Sequence, residues 1–342
     1  MPIKIFLGTG GVGKTSVAAA TALQSALSGA KCLVLTIDPA LRLRTALGID
    51  GSGAEQQVPL EGAGNGELWA AMLDVRSALE RAVVQDAKPQ EAKKVLEHPV
   101  FQLLITSLAG MQELMAIERI HQAMEDGFES IVIDTAPSRH ALEFLDKPEL
   151  FAHLVSFPVV KLVGRTYQWW LSFGLGRLSR KSFELYRRVE EILGATLVHQ
   201  ILDFFSIFRR FAEDYGKRSE RTLALLRDPR ATSFVIVTTP QKAQRDADYF
   251  WHELNQRKFS VSSMVVNRVW PHIDKRPQPS ADPAIHDLME WYQAVSNTHQ
   301  KIWQDVSRNF AGKIPNLILL PELPMDVEGL PALYAMAEIL KP

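Results

Sequence analysis

The sequence predicts an α/β fold: a mostly parallel sheet covered by helices on both faces, with an inserted helical subdomain. Three observations predict it. Short apolar, β-branched runs alternate with helix-period stretches along both ends of the chain. The first such run, Ile3 to Leu7, leads through a glycine-rich turn into an Ala-rich stretch, Ser16 to Ser28. The middle of the chain differs in composition, since residues 151–215 carry 13 of the 29 aromatic residues. We therefore divide the chain into an N-terminal sheet part (1–150), a helical insert (151–230) and a C-terminal sheet part (231–342).

The turn after the first strand reads Gly8-Thr9-Gly10-Gly11-Val12-Gly13-Lys14-Thr15, which fits the phosphate-loop pattern of P-loop NTPases. Its glycines let backbone N–H groups converge without Cβ obstruction, and the following helix start adds a partial positive charge. Lys14 is expected to neutralise β and γ phosphates, and the Thr15 hydroxyl to bind Mg²⁺. ATP and Mg²⁺ are thus the expected ligands.

The second strand, Cys32 to Ile37, is continuous enough to be buried on both faces, and it ends in Asp38-Pro39-Ala40. An acid at a strand tip beside a phosphate loop is placed to polarise attacking water or to contact Mg²⁺ through water. The same residue also suits a helix N-cap. Residues Asp50 to Gly66 hold five glycines and little periodicity, so they read as a mobile loop. Leu68 to Leu73 return to the sheet, and Val75 to Ile120 show helical spacing broken at Pro89 and Pro99. Ser130-Ile131-Val132-Ile133-Asp134 is an apolar strand ending in a carboxylate, the arrangement that orders Mg²⁺ in these folds. Arg139, at the start of the helix that follows, would stand near the γ-phosphate if that segment wraps the nucleotide.

Residues 151–215 carry nine Lys or Arg and six Asp or Glu beside their aromatics. Most of these aromatics read as the subdomain's own core, while Tyr167 to Leu178, with Trp169 and Trp170, is a candidate surface for a hydrophobic protein or lipid-like ligand. The sheet resumes at Ser233 to Pro240 and, after a helix from about Gln241 to Asn255, at Val261 to Val269. Asn267 near that strand's end offers a donor and an acceptor side by side, matching the N6 and N7 edge of adenine. A proline-rich loop (Pro271 to Pro283), a long helix to Phe310, a last strand at Leu317 to Leu320, a turn from Pro321 and a final helix complete the chain.

Lys plus Arg is 38 and Asp plus Glu is 39, so charge gives no sign of a nucleic-acid partner. The sequence passes from Met1-Pro2 directly into a strand, and no apolar run nears membrane-spanning length, so we expect a cytoplasmic protein without stable membrane insertion. One cysteine, Cys32, excludes an intrachain disulfide and a CxxC zinc site.

Taken in order, the glycine-rich GGVGKT, Asp38-Pro-Ala, Asp134-Thr-Ala-Pro-Ser-Arg-His and Asn267 resemble the ATPases of the arsenite-efflux pump (ArsA) family, which includes the targeting ATPase for tail-anchored membrane proteins. The resemblance implies a dimeric Mg²⁺-dependent ATPase whose cycle opens and closes two subunits. It implies that Gly10, Gly11, Val12, Gly13, Lys14, Thr15 and Ser16 cradle phosphate, that Asp38 lies in a first switch and positions water, that Asp134 opens a second switch, and that Asn267 and the turn after Pro321 hold adenine. Thr9 stands where the family carries a lysine that reaches the partner's phosphates. Arg139, Arg42, Arg44 or a paralogous partner's lysine are the candidate replacements. The metalloid-binding cysteines of the pump and the zinc pair of the targeting factor have no counterpart, which leaves a hydrophobic cargo rather than arsenite. With no internal repeat, two chains would associate, as a homodimer or as a heterodimer with a paralogous ATPase. The competing expectation is an ATP-binding regulatory subunit of a heteromer with little hydrolysis of its own.

Overall fold

The computed structural model describes residues 2–38, 42–49, 55–62, 64–86, 89–102, 111–136, 142, 194, 196, 200, 204, 217–218, 220–272 and 283–341. Arg139, the aromatic segment with Trp169 and Trp170, and most of the proline-rich loop lie outside them. The chain divides into two compact units, Met1–Leu73 with Gln122–Leu142 and Ala224–Pro342, and Asp74–His121 with Glu143–Leu223.

The first unit is built on an eight-stranded sheet in the order β3-β4-β2-β5-β1-β6-β7-β8. Its strands are β1 (Ile3–Leu7), β2 (Lys31–Thr36), β3 (Glu55–Val58), β4 (Glu67–Met72), β5 (Ser130–Asp134), β6 (Thr232–Thr238), β7 (Val261–Val269) and β8 (Asn316–Pro321). All neighbouring pairs are parallel except β3 with β4. Parallel order puts the carboxyl ends of seven strands along one edge of the sheet, with β1 between β5 and β6. Every residue of β5 and five of the six in β2 are buried, as expected of strands covered on both sides.

Around this sheet run α1 (Lys14–Leu27), α2 (Arg42–Leu47), α6 (Ala243–Gln256), α7 (Pro283–Phe310) and α8 (Gly329–Ile339). Helix α1 is buried through Val17, Ala18, Ala19, Ala20, Ala22, Leu23 and Ala26, almost all the way round. Its run of alanines, with no bulk beyond Cβ, lets it lie between the sheet and α8, which contributes Leu333, Met336 and Ala337 to the same core. The start of α1, and with it the phosphate loop, is thereby fixed by packing on two sides. Cys32 belongs to this core, and burial pushes its thiol up to about 12.

The sheet corrects one expectation. Part of the glycine-rich stretch Asp50 to Gly66, read as a mobile loop, forms the edge strand β3, antiparallel to β4 with Glu55 opposite Ala71 and Val58 opposite Leu68. Its residues are Glu-Gln-Gln-Val, and Val58 alone is buried, so main-chain pairing rather than a hydrophobic alternation holds it.

The second unit includes α3 (Val75–Asp86) and α4 (Pro89–Glu97), and α5 (Met111–Glu125) begins in it. Here Phe204 lies 5.2 Å from the His98 ring and 6.4 Å from that of Phe101, centroid to centroid. The Arg218 guanidinium meets the buried Glu118 carboxylate at 3.5 Å. No helix among the described residues is long and apolar enough to cross a membrane.

Candidate nucleotide site

The loop between β1 and α1 turns through left-handed backbone at Gly11 (φ +79°) and Gly13 (φ +83°), and helix α1 starts at Lys14. Gly13 has a second constraint. A Cβ built there would stand 2.2 Å from the Asn267 amide nitrogen, whereas one at Gly11 meets nothing within 4 Å. The two glycines should thus respond differently to alanine. Gly11→Ala carries only the backbone penalty of about 1–2 kcal/mol, and Gly13→Ala adds a steric conflict with a buried side chain. We expect Gly13→Ala to lose several more degrees in Tm than Gly11→Ala, measured by thermal unfolding, and to lose ATP binding.

Asp134, at the tip of β5, is fully buried, and three side chains converge on it. The Lys14 ammonium, itself buried, donates to Asp134 Oδ1 and to the Thr135 carbonyl. The Thr15 hydroxyl donates to Oδ2 at 2.8 Å, and the Thr36 hydroxyl donates to the same oxygen at 3.1 Å. The sheet register explains the convergence, because both Phe6 of β1 and Thr36 of β2 pair with Asp134. Thr135 is tied to β1 as well, donating its hydroxyl to the Phe6 carbonyl at 2.7 Å.

Asp38 is buried just beyond β2, its N–H donating to the Thr36 hydroxyl oxygen at 3.2 Å. Thr36 therefore links the two acids, accepting from the backbone of one and donating to the carboxylate of the other. The Arg42 guanidinium, on α2, approaches the Asp38 carboxylate at 3.5 Å.

A cavity of about 720 Å³ opens over the loop. It is lined by the loop residues from Gly11 to Ser16, by Arg42, Asn267 and Arg268, and by the stretch from Leu320 to Glu328. Its size suits a small-molecule ligand, and its lining mixes polar and apolar side chains. Arg44 lies elsewhere, lining a small crevice with Gln56 and Met72. On a helix, residues two apart point to nearly opposite sides, which separates it from Arg42.

Asn267 lines the cavity, but its amide is engaged with the loop. Its Nδ2 donates to the Val12 carbonyl at 2.9 Å, and its Oδ1 accepts from the Arg268 N–H at 2.9 Å. One amide hydrogen and one lone pair remain for another partner. Thr9 is also engaged within the chain, its hydroxyl donating to the buried Asp246 carboxylate of α6 at 2.6 Å.

Two cations that sequence reasoning missed stand at this loop. Lys242, preceding α6, donates its ammonium to the Gly10 carbonyl at 2.7 Å, and Arg268 donates to the Gly11 carbonyl at 3.4 Å. The Asn267-Arg268 pair at a strand end was the only available signal for the second; nothing local marked the first.

The profile of the Anion-transporting ATPase (ArsA) family matches residues 1–342 of this chain. The chain belongs to the ArsA family. Among ArsA-type relatives, "ATPase get3" of Schizosaccharomyces pombe is 23% identical over 335 residues, covering 97% of this chain and 89% of that protein. "ATPase GET3B" of Arabidopsis thaliana is 26% identical over 355 residues, 97% of this chain and 77% of its own length. The "Putative arsenical pump-driving ATPase" of Chlorobaculum tepidum is 30% identical over 272 residues, 79% and 61% respectively. As an ArsA-family P-loop ATPase the chain hydrolyses ATP, and membership implies use of Mg²⁺. The oxygen donors gathered at Asp134 fit that ion, since Mg²⁺ takes few protein ligands and prefers hydroxyl and carboxylate oxygen.

Proposed function

We propose that the chain binds ATP with its triphosphate on the Gly10 to Ser16 loop and uses hydrolysis to switch a dimer that handles a hydrophobic protein or lipid-like cargo. The observation that carries this reading is the meeting of Lys14 and Thr15, which line a cavity of about 720 Å³, with the buried Asp134. In this reading Lys14 exchanges its bonds to Asp134 and Thr135 for phosphate oxygens, and Thr15, with Asp134 and Asp38 behind it, holds Mg²⁺. When bound, the ion would neutralise charge developing on the phosphates. Asp38 positions the attacking water. The free amide hydrogen and lone pair of Asn267, with Pro321 beside the cavity, hold adenine, and Arg139 is assigned to the γ-phosphate side.

Cargo handling is supported by the aromatic, basic composition of residues 151–215, and a role apart from arsenite by the single cysteine in a strand. Thr9 favours a second reading, in which the chain is a regulatory half of a heteromer, because its hydroxyl is held by Asp246 of the same chain. Light scattering on the purified protein with Mg²⁺ and a non-hydrolysable ATP analogue tests the switch. We expect the mass to rise from one chain to two. An unchanged mass would remove nucleotide-driven homodimerisation: at one chain it favours the heteromer, at two chains a constitutive homodimer.

A further inference from the structure

Three successive carbonyls of the phosphate loop, those of Gly10, Gly11 and Val12, each accept a hydrogen bond from a side chain far away in sequence: Lys242, Arg268 and Asn267. A phosphate loop works by turning its N–H groups inward, and its carbonyls then face outward. Donors on those carbonyls fix the peptide planes with the N–H groups already aimed.

The geometry behind this clasp is specific. Neighbouring strand residues point to opposite faces, yet Asn267 and Arg268 both reach the same loop. The sheet register shows how: β7 pairs Val266 with Leu319 and Val269 with Pro321, so β7 holds one residue more than β8 between those pairs. Arg268 takes a left-handed backbone there, φ +61°, which a non-glycine residue adopts at a cost of about 1–3 kcal/mol. The bulge thus turns two consecutive side chains onto one loop. The Arg268 guanidinium also stands 4.0 Å from the Glu322 carboxylate and lines the cavity. On the other side β6 neighbours β1, so the helix that follows β6 starts beside the loop and brings Lys242 to Gly10.

We propose that Lys242 and Arg268 are positioning residues for the triphosphate, holding the loop open for phosphate while contributing two positive charges around it. This rests on the phosphate-binding reading above. Both side chains act through the loop and through charge, so their effect grows with the number of phosphates on the ligand.

The test is calorimetric titration of ATP and of AMP into the wild-type chain, Lys242→Gln, Arg268→Gln, the double variant and Lys242→Arg, each at two salt concentrations. We expect Kd for ATP to rise about tenfold in each single glutamine variant. For AMP it should rise less than threefold, and Lys242→Arg should restore most of the ATP affinity. The salt dependence of ATP binding should flatten in the double variant, which a purely structural role would not produce. ATP affinity equal to wild type in the double variant overturns the proposal while leaving the phosphate reading intact. Equal losses for ATP and AMP with an unchanged salt dependence also overturn it. A wild-type chain that takes up no ATP overturns both.

Discussion

Replacing Lys14 with methionine should reduce ATP turnover by about 10³-fold and, less obviously, destabilise the nucleotide-free fold. Methionine has nearly the same reach and is apolar, so the change removes charge and donors while conserving most of the volume. What it leaves behind is the problem. Asp134 is fully buried, and with Lys14 gone its carboxylate keeps, among the described residues, the hydroxyls of Thr15 and Thr36. Removing one partner of a buried ion pair typically costs about 3–5 kcal/mol because the other charge is left uncompensated. Denaturant unfolding should show a loss of that order. Asp134→Asn in the same chain should recover much of the stability and none of the activity. A Lys14→Met protein as stable as wild type would mean that Asp134 does not depend on the Lys14 ammonium.

The second large effect should come from Asp38→Asn. Asparagine keeps the size of the side chain and leaves the backbone bond to Thr36 untouched, so the link to Asp134 survives. What is lost is a carboxylate able to accept a proton from water. General-base steps of this kind are worth about 10²–10⁴-fold. We expect kcat to fall within that range and Kd for ATP to stay within a factor of about three, because Asp38 is not among the cavity's lining residues. Steady-state phosphate release with a parallel titration separates the two quantities. Equal turnover in the two proteins would remove Asp38 from the reaction.

These residues were legible in the sequence because each is announced by its neighbours. An apolar run followed by a glycine-rich turn and a lysine, and two apolar runs ending in aspartate, are local patterns, and a parallel sheet brings such strand tips to one edge whatever lies between them. The edge strand β3 was not legible, since a polar strand paired on one side leaves no periodicity. Nor was the clasp. Lys242 and Gly10 are 232 positions apart, Arg268 and Gly11 are 257, and no pattern in either segment names a carbonyl in the other. The bulge that turns Arg268 toward the loop is a property of register between β7 and β8, which periodicity within one strand does not encode. Asn267 shows the intermediate case. Its residue type was informative, but where its amide points depends on a loop more than two hundred residues away.

Calorimetric titration of the purified chain with ATP, in the presence and absence of Mg²⁺, bears most directly on the triphosphate being held between the loop and Asp134. The expected result is one nucleotide per chain with Kd between about 1 μM and 1 mM, tightened by Mg²⁺ and lost in Lys14→Met. Absence of uptake at millimolar ATP, or uptake that Lys14→Met leaves unchanged, would contradict it.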